Sequence, residues 1–157
     1  MFEYEFIPIS TNEQLYSSHL SSSLDDFTIG TFIDLDRLYL RYRKIEISKN
    51  INISTTKKNT FSIMDDTINV NGTTFNVSTA NSLGKENVDI CIFNNPSKTR
   101  YSIDRFYTLK LYDNNKNLLR DYIPVLNKND VAGLYDLVEN KFYSSETETE
   151  FIAGNEI

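Results

Sequence analysis

Three glutamates alternate with threonines in the run ETETE: Glu146, Glu148 and Glu150. In a strand, the two-residue period puts all three on one face. Carboxylates gathered in that way can divide the work of glycoside hydrolysis, one protonating the leaving group while another attacks or positions water. The spacing here lacks the wider final gap and the apolar intervening residues of such a catalytic strand. Like charges interleaved with threonine also form a solvated edge that resists pairing with another chain. The run is read as surface, and no catalytic residue is assigned.

The other reactive side chains are isolated. His19 is the single histidine and sits in SSHLSSS. Nucleophilic catalysis needs a base oriented by a converging third group, and adjacency of Ser18 and His19 does not supply one, so His19 is read as a solvated or capping residue. Cys91 is the single cysteine. It excludes an intrachain disulfide and a thiolate metal cluster, and between Ile90 and Ile92 it reads as a small packing residue. Asp34 with Asp36, and Asp65 with Asp66, are the candidates for calcium, which takes carboxylate and carbonyl oxygens. Neither pair has the ordered ligand spacing of a dedicated calcium loop. Both are read as turn formers, and no metal, cofactor or catalytic site is assigned.

Charge bears on partners. The 157 residues carry 16 basic and 22 acidic side chains, a net charge of -6, so the average field repels phosphate backbones and anionic lipid. The densest basic run, RLYLRYRK from Arg37 to Lys44, interleaves cations with aromatics as single-strand binders do. At strand spacing its cations fall on both faces, and it is read as an outward solvated face; neither nucleic acid nor membrane is expected as a partner. No run approaches the ~20 apolar residues of a membrane helix. The opening MFEYEFIPIS has acids where a secretion signal needs a basic region followed by an apolar one. A protein made and kept soluble in a cytoplasm until assembled is the expectation.

The elements that would position these residues are strands. FEYEFI sets Phe2, Tyr4 and Phe6 against Glu3 and Glu5, the period of a half-buried strand. INVNGTTFNV flanks Asn71-Gly72 with β-branched runs, and this pair tolerates the positive φ angles of a two-residue type I′ turn; a hairpin is expected over 67–77. NVDICIF and RFYTLKLY read as strands. DNNKN at 113–117 and NKND at 127–130 supply turns around LLRDYIPV, in which Pro124 removes a ladder donor and predicts an edge strand or an end near 124. Serine-rich NEQLYSSHLSSSLDDF shows only a weak helical period, since serine competes with the helix backbone, so Ser10–Asp26 is read as a loop, a single turn or an arm. Many short strands with Asn, Asp and Gly turns and no intervening helix indicate an antiparallel β-sandwich or jelly roll. The expected organisation is an N-terminal strand and polar arm over 1–26 and a sandwich domain over 27–157.

The C-terminal third carries a more specific pattern. Leu111 to Asp113 closes a strand in a Tyr-Asp turn. Arg120 to Pro124 follows, then Gly-Leu-Tyr-Asp at Gly133 to Asp136, Lys-Phe-Tyr at Lys141 to Tyr143, and a Phe-x-x-Gly tail at Phe151 to Gly154. In order and spacing, residues 107–157 resemble the closing segment of concanavalin-like, laminin-G-like jelly-roll modules common in bacteriophage proteins. Upstream, TFIDLD at 31–36 is only loosely similar to the opening strand of such modules, and SSETETE replaces the Asn, Gly and Thr usual in their polar loop.

The resemblance implies a concanavalin-like jelly roll and a non-enzymatic bacteriophage virion structural protein. A capsid decoration or auxiliary protein on the particle surface is the preferred reading, with other virion proteins and copies of itself as partners. The alternative it implies is a carbohydrate-binding module of a tail or fibre that adheres to host glycans. Ten tyrosines offer sugar-stacking rings, although tryptophan is absent. Physically, the motif reads as a folding device. Gly133 is expected where another backbone approaches closely, Asn140 in a left-handed reversal, and Lys141 to Tyr143 as the returning antiparallel strand. Leu134, Tyr135 and Leu137 are expected to fill the two faces of the preceding strand. Arg120 and Asp121 are expected to pair with neighbouring strands or with each other's backbone at a sheet margin.

Overall fold

A computed structural model describes residues 1–9, 16–22, 27–32, 37–42, 45–51, 53–64, 67–76, 90–92, 103–145 and 150–154. Among them the regular elements are all strands, in chain order β1 (Phe2–Ile9), β2 (Tyr16–Ser22), β3 (Phe27–Phe32), β4 (Arg37–Tyr42), β5 (Ile45–Asn50), β6 (Asn59–Met64), β7 (Thr67–Val70), β8 (Thr73–Asn76), β9 (Ile90–Ile92), β10 (Ile103–Tyr112), β11 (Leu118–Leu126), β12 (Ala132–Asp136) and β13 (Lys141–Tyr143). The chain is all-β. No helix among the described residues is long and apolar enough to cross a membrane.

The strands form an eight-stranded sheet, ordered β13-β12-β11-β10-β1-β6-β7-β8, and a five-stranded sheet, ordered β5-β4-β3-β2-β9. The chain divides into two compact units. One comprises Met1–Phe6, Thr60–Asn76 and Arg105–Ile157; the other comprises Ile7–Asn59 and Val77–Asp104. The units thus interleave along the sequence.

In the first unit, β1 lies between β10 and β6, and its end is fixed by reciprocal backbone bonds. The Tyr112 N–H donates to the Met1 carbonyl at 2.9 Å, and the Met1 amine donates to the Tyr112 carbonyl at 3.2 Å. Phe2, Tyr4 and Phe6 are buried as their alternation requires, while Glu3 and Glu5 lie on the wetter face. The Tyr4 ring stacks on Phe6 at 4.9 Å and meets Phe106 at 5.9 Å, and Phe2 stacks on Phe61 at 5.7 Å. Ile63, Ile68, Val70, Leu109 and Leu134 complete this core. The alternation ends at Ile7, where the chain passes into the second unit and Ile7 and Pro8 are both buried.

The hairpin expected over 67–77 forms. β7 pairs with β8 across Asn71 and Gly72, whose φ angles of 51° and 84° are those a type I′ turn needs. Asn71 extends the ladder to β6: its backbone N–H donates to the Thr60 carbonyl at 3.0 Å, and its side-chain Oδ1 accepts the Thr60 N–H at 2.9 Å.

Two further loops share one design. In 113–117, Asp113 Oδ1 accepts the N–H groups of Asn115 and Asn117, each at 2.8 Å, and Lys116 has φ 66°. In 127–131, Asn127 Oδ1 accepts those of Asn129 and Val131 at 2.8 and 3.1 Å, and Asp130 has φ 61°. Each loop is closed by the N–H of its first residue donating to the carbonyl of its last. Such side-chain bonds to the following backbone are the reason Asp and Asn favour turns.

Two expectations are corrected. Tyr16–Ser22, read as loop or arm, is a strand paired with both β3 and β9. Serine's weak local preference is overridden by ladders on two sides, the context dependence that makes strand propensity a poor guide; residues 10–15 and 23–26 lie outside the described residues. β11 does not lie at a sheet edge and does not end at Pro124. Its ladder to β10 runs from Leu118 to Tyr122, and beyond it the strand continues to Leu126 paired with β12, with Pro124 opposite Leu134. The proline therefore falls past the stretch in which both sides of the strand are paired, where a missing N–H is tolerated.

In the second unit, the buried Asn59 organises the turn before β6. Its Oδ1 accepts the Ser54 N–H at 2.8 Å and its Nδ2 donates to the Ser54 carbonyl at 2.7 Å. Ser54 Oγ in turn accepts the N–H groups of Thr56 and Lys57.

Candidate functional site

The residues singled out for chemistry do not converge among the described residues. His19 is the inserted residue where the β2–β3 register shifts between Ser18 and Leu20. Cys91 lies in β9 opposite Ser21. Glu150 is exposed. Glu146, Glu148, Asp34, Asp36, Asp65, Asp66, Arg43 and Lys44 lie outside the described residues. Arg37–Tyr42 forms β4, which is paired on both sides by β3 and β5. No group of three or more His, Cys, Asp or Glu among the described residues is arranged to hold a metal ion.

Polar side chains come together instead on β11, β12 and β13. The β11–β12 register sets Tyr122 opposite Asp136, and β12–β13 sets Asp136 opposite Lys141. Period two then puts Arg120 on the same face as Tyr122, diagonal to Asp136. The Asp136 side chain is fully buried. Its Oδ1 accepts the backbone N–H of Val138 at 2.9 Å, in the turn between β12 and β13, and that of Asp121 on β11 at 3.1 Å. Its Oδ2 accepts no hydrogen bond and faces Arg120 Nε at 3.4 Å, so that contact is ionic.

The same guanidinium reaches Glu139 Oε1 at 2.6 Å and donates to the Leu119 carbonyl at 2.7 Å. Glu139 Oε2 accepts the Tyr143 hydroxyl at 2.9 Å, which pushes the Tyr143 pKa up chiefly by favouring the protonated phenol. Tyr122 packs edge-on to Tyr143 at 5.8 Å, and its pKa is raised first by burial and then by neighbouring Tyr143 and Asp136. Lys141 Nζ lies 4.6 Å from the centroid of the Tyr143 ring.

The opposite face carries a second set. Lys110 and Asp121 are register partners and approach to 3.8 Å. Tyr112 donates its hydroxyl to Glu3 Oε2 at 3.0 Å. Burial, this hydrogen bond and the charges of Glu3 and Asp121 push the Tyr112 pKa up to about 12.

The arrangement locks three strands and a turn together. The expected pairing of Arg120 and Asp121 with neighbouring strands is present, but in the interior of the sheet. The expected close approach at Gly133 is also present: a Cβ there would collide with Phe142 Cζ and stand 2.5 Å from the Tyr143 carbonyl oxygen. Asn140 adopts φ 56°, as the reversal requires, and Lys141 to Tyr143 returns antiparallel. Leu137 lies in the turn after β12, exposed rather than on a strand face.

Asp136, Glu139 and Tyr143 were not singled out as partners of Arg120. The one local signal was an aspartate ending a strand before a turn, where its side chain can accept later backbone N–H groups.

Comparison of the chain with protein-family models, with curated proteins and with solved structures finds no match.

Proposed function

We propose that the chain is a non-enzymatic bacteriophage virion protein, a concanavalin-like jelly-roll sandwich that decorates the capsid and contacts other virion proteins or further copies of itself. The observation that carries this reading is the pattern over residues 107–157. Its distinctive residues have mechanical roles: Gly133 admits a neighbouring strand, Arg120 and Asp136 cross-link two strands, and Asn140 reverses the chain. A motif devoted to folding fits a building block better than a reaction centre.

Exposed apolar side chains support attachment. Leu118 and Leu119 at the start of β11 are 40% and 45% exposed, and Leu137 and Val138 in the β12–β13 turn are 48% and 42% exposed. The Leu137 N–H donates to the Asp121 carbonyl, so this turn lies alongside the beginning of β11. Apolar side chains grouped at one sheet end with charges beside them are typical of protein contact surfaces. The carbohydrate-binding alternative needs an exposed aromatic platform, and at Tyr143 Lys141 lies over one face of the ring.

Mass spectrometry of purified particles of the encoding phage tests the proposal. It expects peptides of this chain in stoichiometric amount with capsid proteins. A chain detected in infected cells but missing from particles would contradict it.

A further inference from the structure

We propose that Asn71 is a folding-gated deamidation site: the closed β7–β8 hairpin keeps its side-chain amide intact, and opening of the hairpin commits it to conversion. The chemistry is intrinsic to an Asn-Gly pair. The Gly72 backbone nitrogen attacks Asn71 Cγ and gives up its proton; the new N–C bond replaces the bond to Nδ2, which leaves as ammonia. Solvent water then opens the cyclic imide at one carbonyl or the other, giving aspartate or isoaspartate at position 71. Glycine in second place leaves the attacking nitrogen unhindered, so in an open chain this is a reactive pair.

Three features of the closed hairpin oppose that step. The first is backbone geometry. Asn71 has φ 51°, and the left-handed region joins such a φ to a ψ of about +30 to +60°. The Gly72 nitrogen is then nearly anti to Cβ, whereas ring closure needs the two nearly eclipsed. The second is the nucleophile: the Gly72 N–H donates to Asn69 Oδ1 at 3.1 Å, which retains the proton that must be lost. The third is the electrophile: Asn71 Oδ1 is held at 2.9 Å by the Thr60 N–H on β6, so Cγ cannot swing towards Gly72 without breaking the extended ladder. All three are released together when the turn opens.

The two products differ in what they do to the sheet. Aspartate keeps an oxygen for the Thr60 N–H. Isoaspartate adds a backbone carbon to a two-residue turn, and the register Val70↔Thr73 is lost with it. Conversion would therefore mark chains that have opened.

The test is to incubate the full chain at neutral pH, folded and in urea, and to follow ammonia release and isoaspartate at position 71 by peptide mapping. A reaction that proceeds only through opening is slowed by the opening equilibrium, so the folded chain is expected to react at least about tenfold more slowly. Equal folded and unfolded rates would overturn the proposal. In Asn69→Ala the folded rate should rise several-fold while the rate in urea stays the same, and Asn69→Asp, which keeps an acceptor for Gly72, should restore protection. Circular dichroism establishes that each variant is folded. A folded Asn69→Ala protein with unchanged protection would remove Asn69 from the mechanism.

Discussion

Arg120 on β11 and the fully buried Asp136 at the end of β12 face each other diagonally, guanidinium Nε to carboxylate Oδ2 at 3.4 Å. The same carboxylate accepts the backbone N–H of Val138 in the following turn and that of Asp121 on β11. One side chain therefore joins strand pairing to turn formation. Asp136→Ala removes both and leaves the two N–H groups unsatisfied, at a cost of ~3 kcal/mol or more. Asp136→Asn keeps an acceptor for the turn and loses only the ion pair, so its cost is expected to be clearly smaller. Urea denaturation of the two variants measures the difference, and equal losses would contradict the dual role.

Gly133→Ala should cost ~2 kcal/mol or more, because the added methyl meets Phe142 and the Tyr143 carbonyl at once. A ring can turn aside but a paired backbone carbonyl cannot. The double variant Gly133→Ala, Phe142→Ala is thus expected to recover only part of the loss beyond that of Phe142→Ala alone. A double-mutant cycle that recovers all of it would mean that the ring alone excludes the side chain.

Lys116 and Asp130 occupy equivalent left-handed positions in the two loops of shared design. Glycine reaches that conformation without the penalty of a Cβ. Lys116→Gly and Asp130→Gly are each expected to stabilise by up to ~1 kcal/mol, less the entropy gained by the unfolded chain. Because the loops are separate, the two effects should add. A loss of stability in both would contradict the assigned loop geometry.

Alkaline pH should destabilise the protein through Tyr112. Burial, with the hydrogen bond to Glu3 and the charges of Glu3 and Asp121, raises its folded pKa to about 12 from 10.0. The unfolded chain therefore releases this proton at lower pH than the folded one. The contribution is fully present below pH 10 and is lost as pH rises towards 12. Tyr122 and Tyr143, also raised, act with the same sign. Urea midpoints across this range should fall less steeply in Tyr112→Phe than in the native sequence. Identical slopes would contradict the assignment.

Much of this was legible where the deciding physics is local. Asn71-Gly72 announces its turn because few residue pairs accept two positive φ angles, and Phe2, Tyr4 and Phe6 announce a buried face by spacing alone. Gly133 and Asn140 were legible as a close approach and a reversal for the same reason. What was not legible depends on partners distant in sequence. Tyr16–Ser22 is a strand because β3 and β9 flank it, and nothing within YSSHLSS favours that outcome. Arg120 finds Asp136 only through the β11–β12 register. Lys116 gave no local sign of a left-handed backbone, and Asp130 only the mild preference of its residue type; the side chains of Asp113 and Asn127 hold those turns.

Immunogold electron microscopy of intact particles, with an antibody raised against this chain, tests the proposed virion role most directly. Even labelling over the capsid is the predicted result. Particles left bare of label, while an antibody to a capsid protein decorates them in the same preparation, would contradict it.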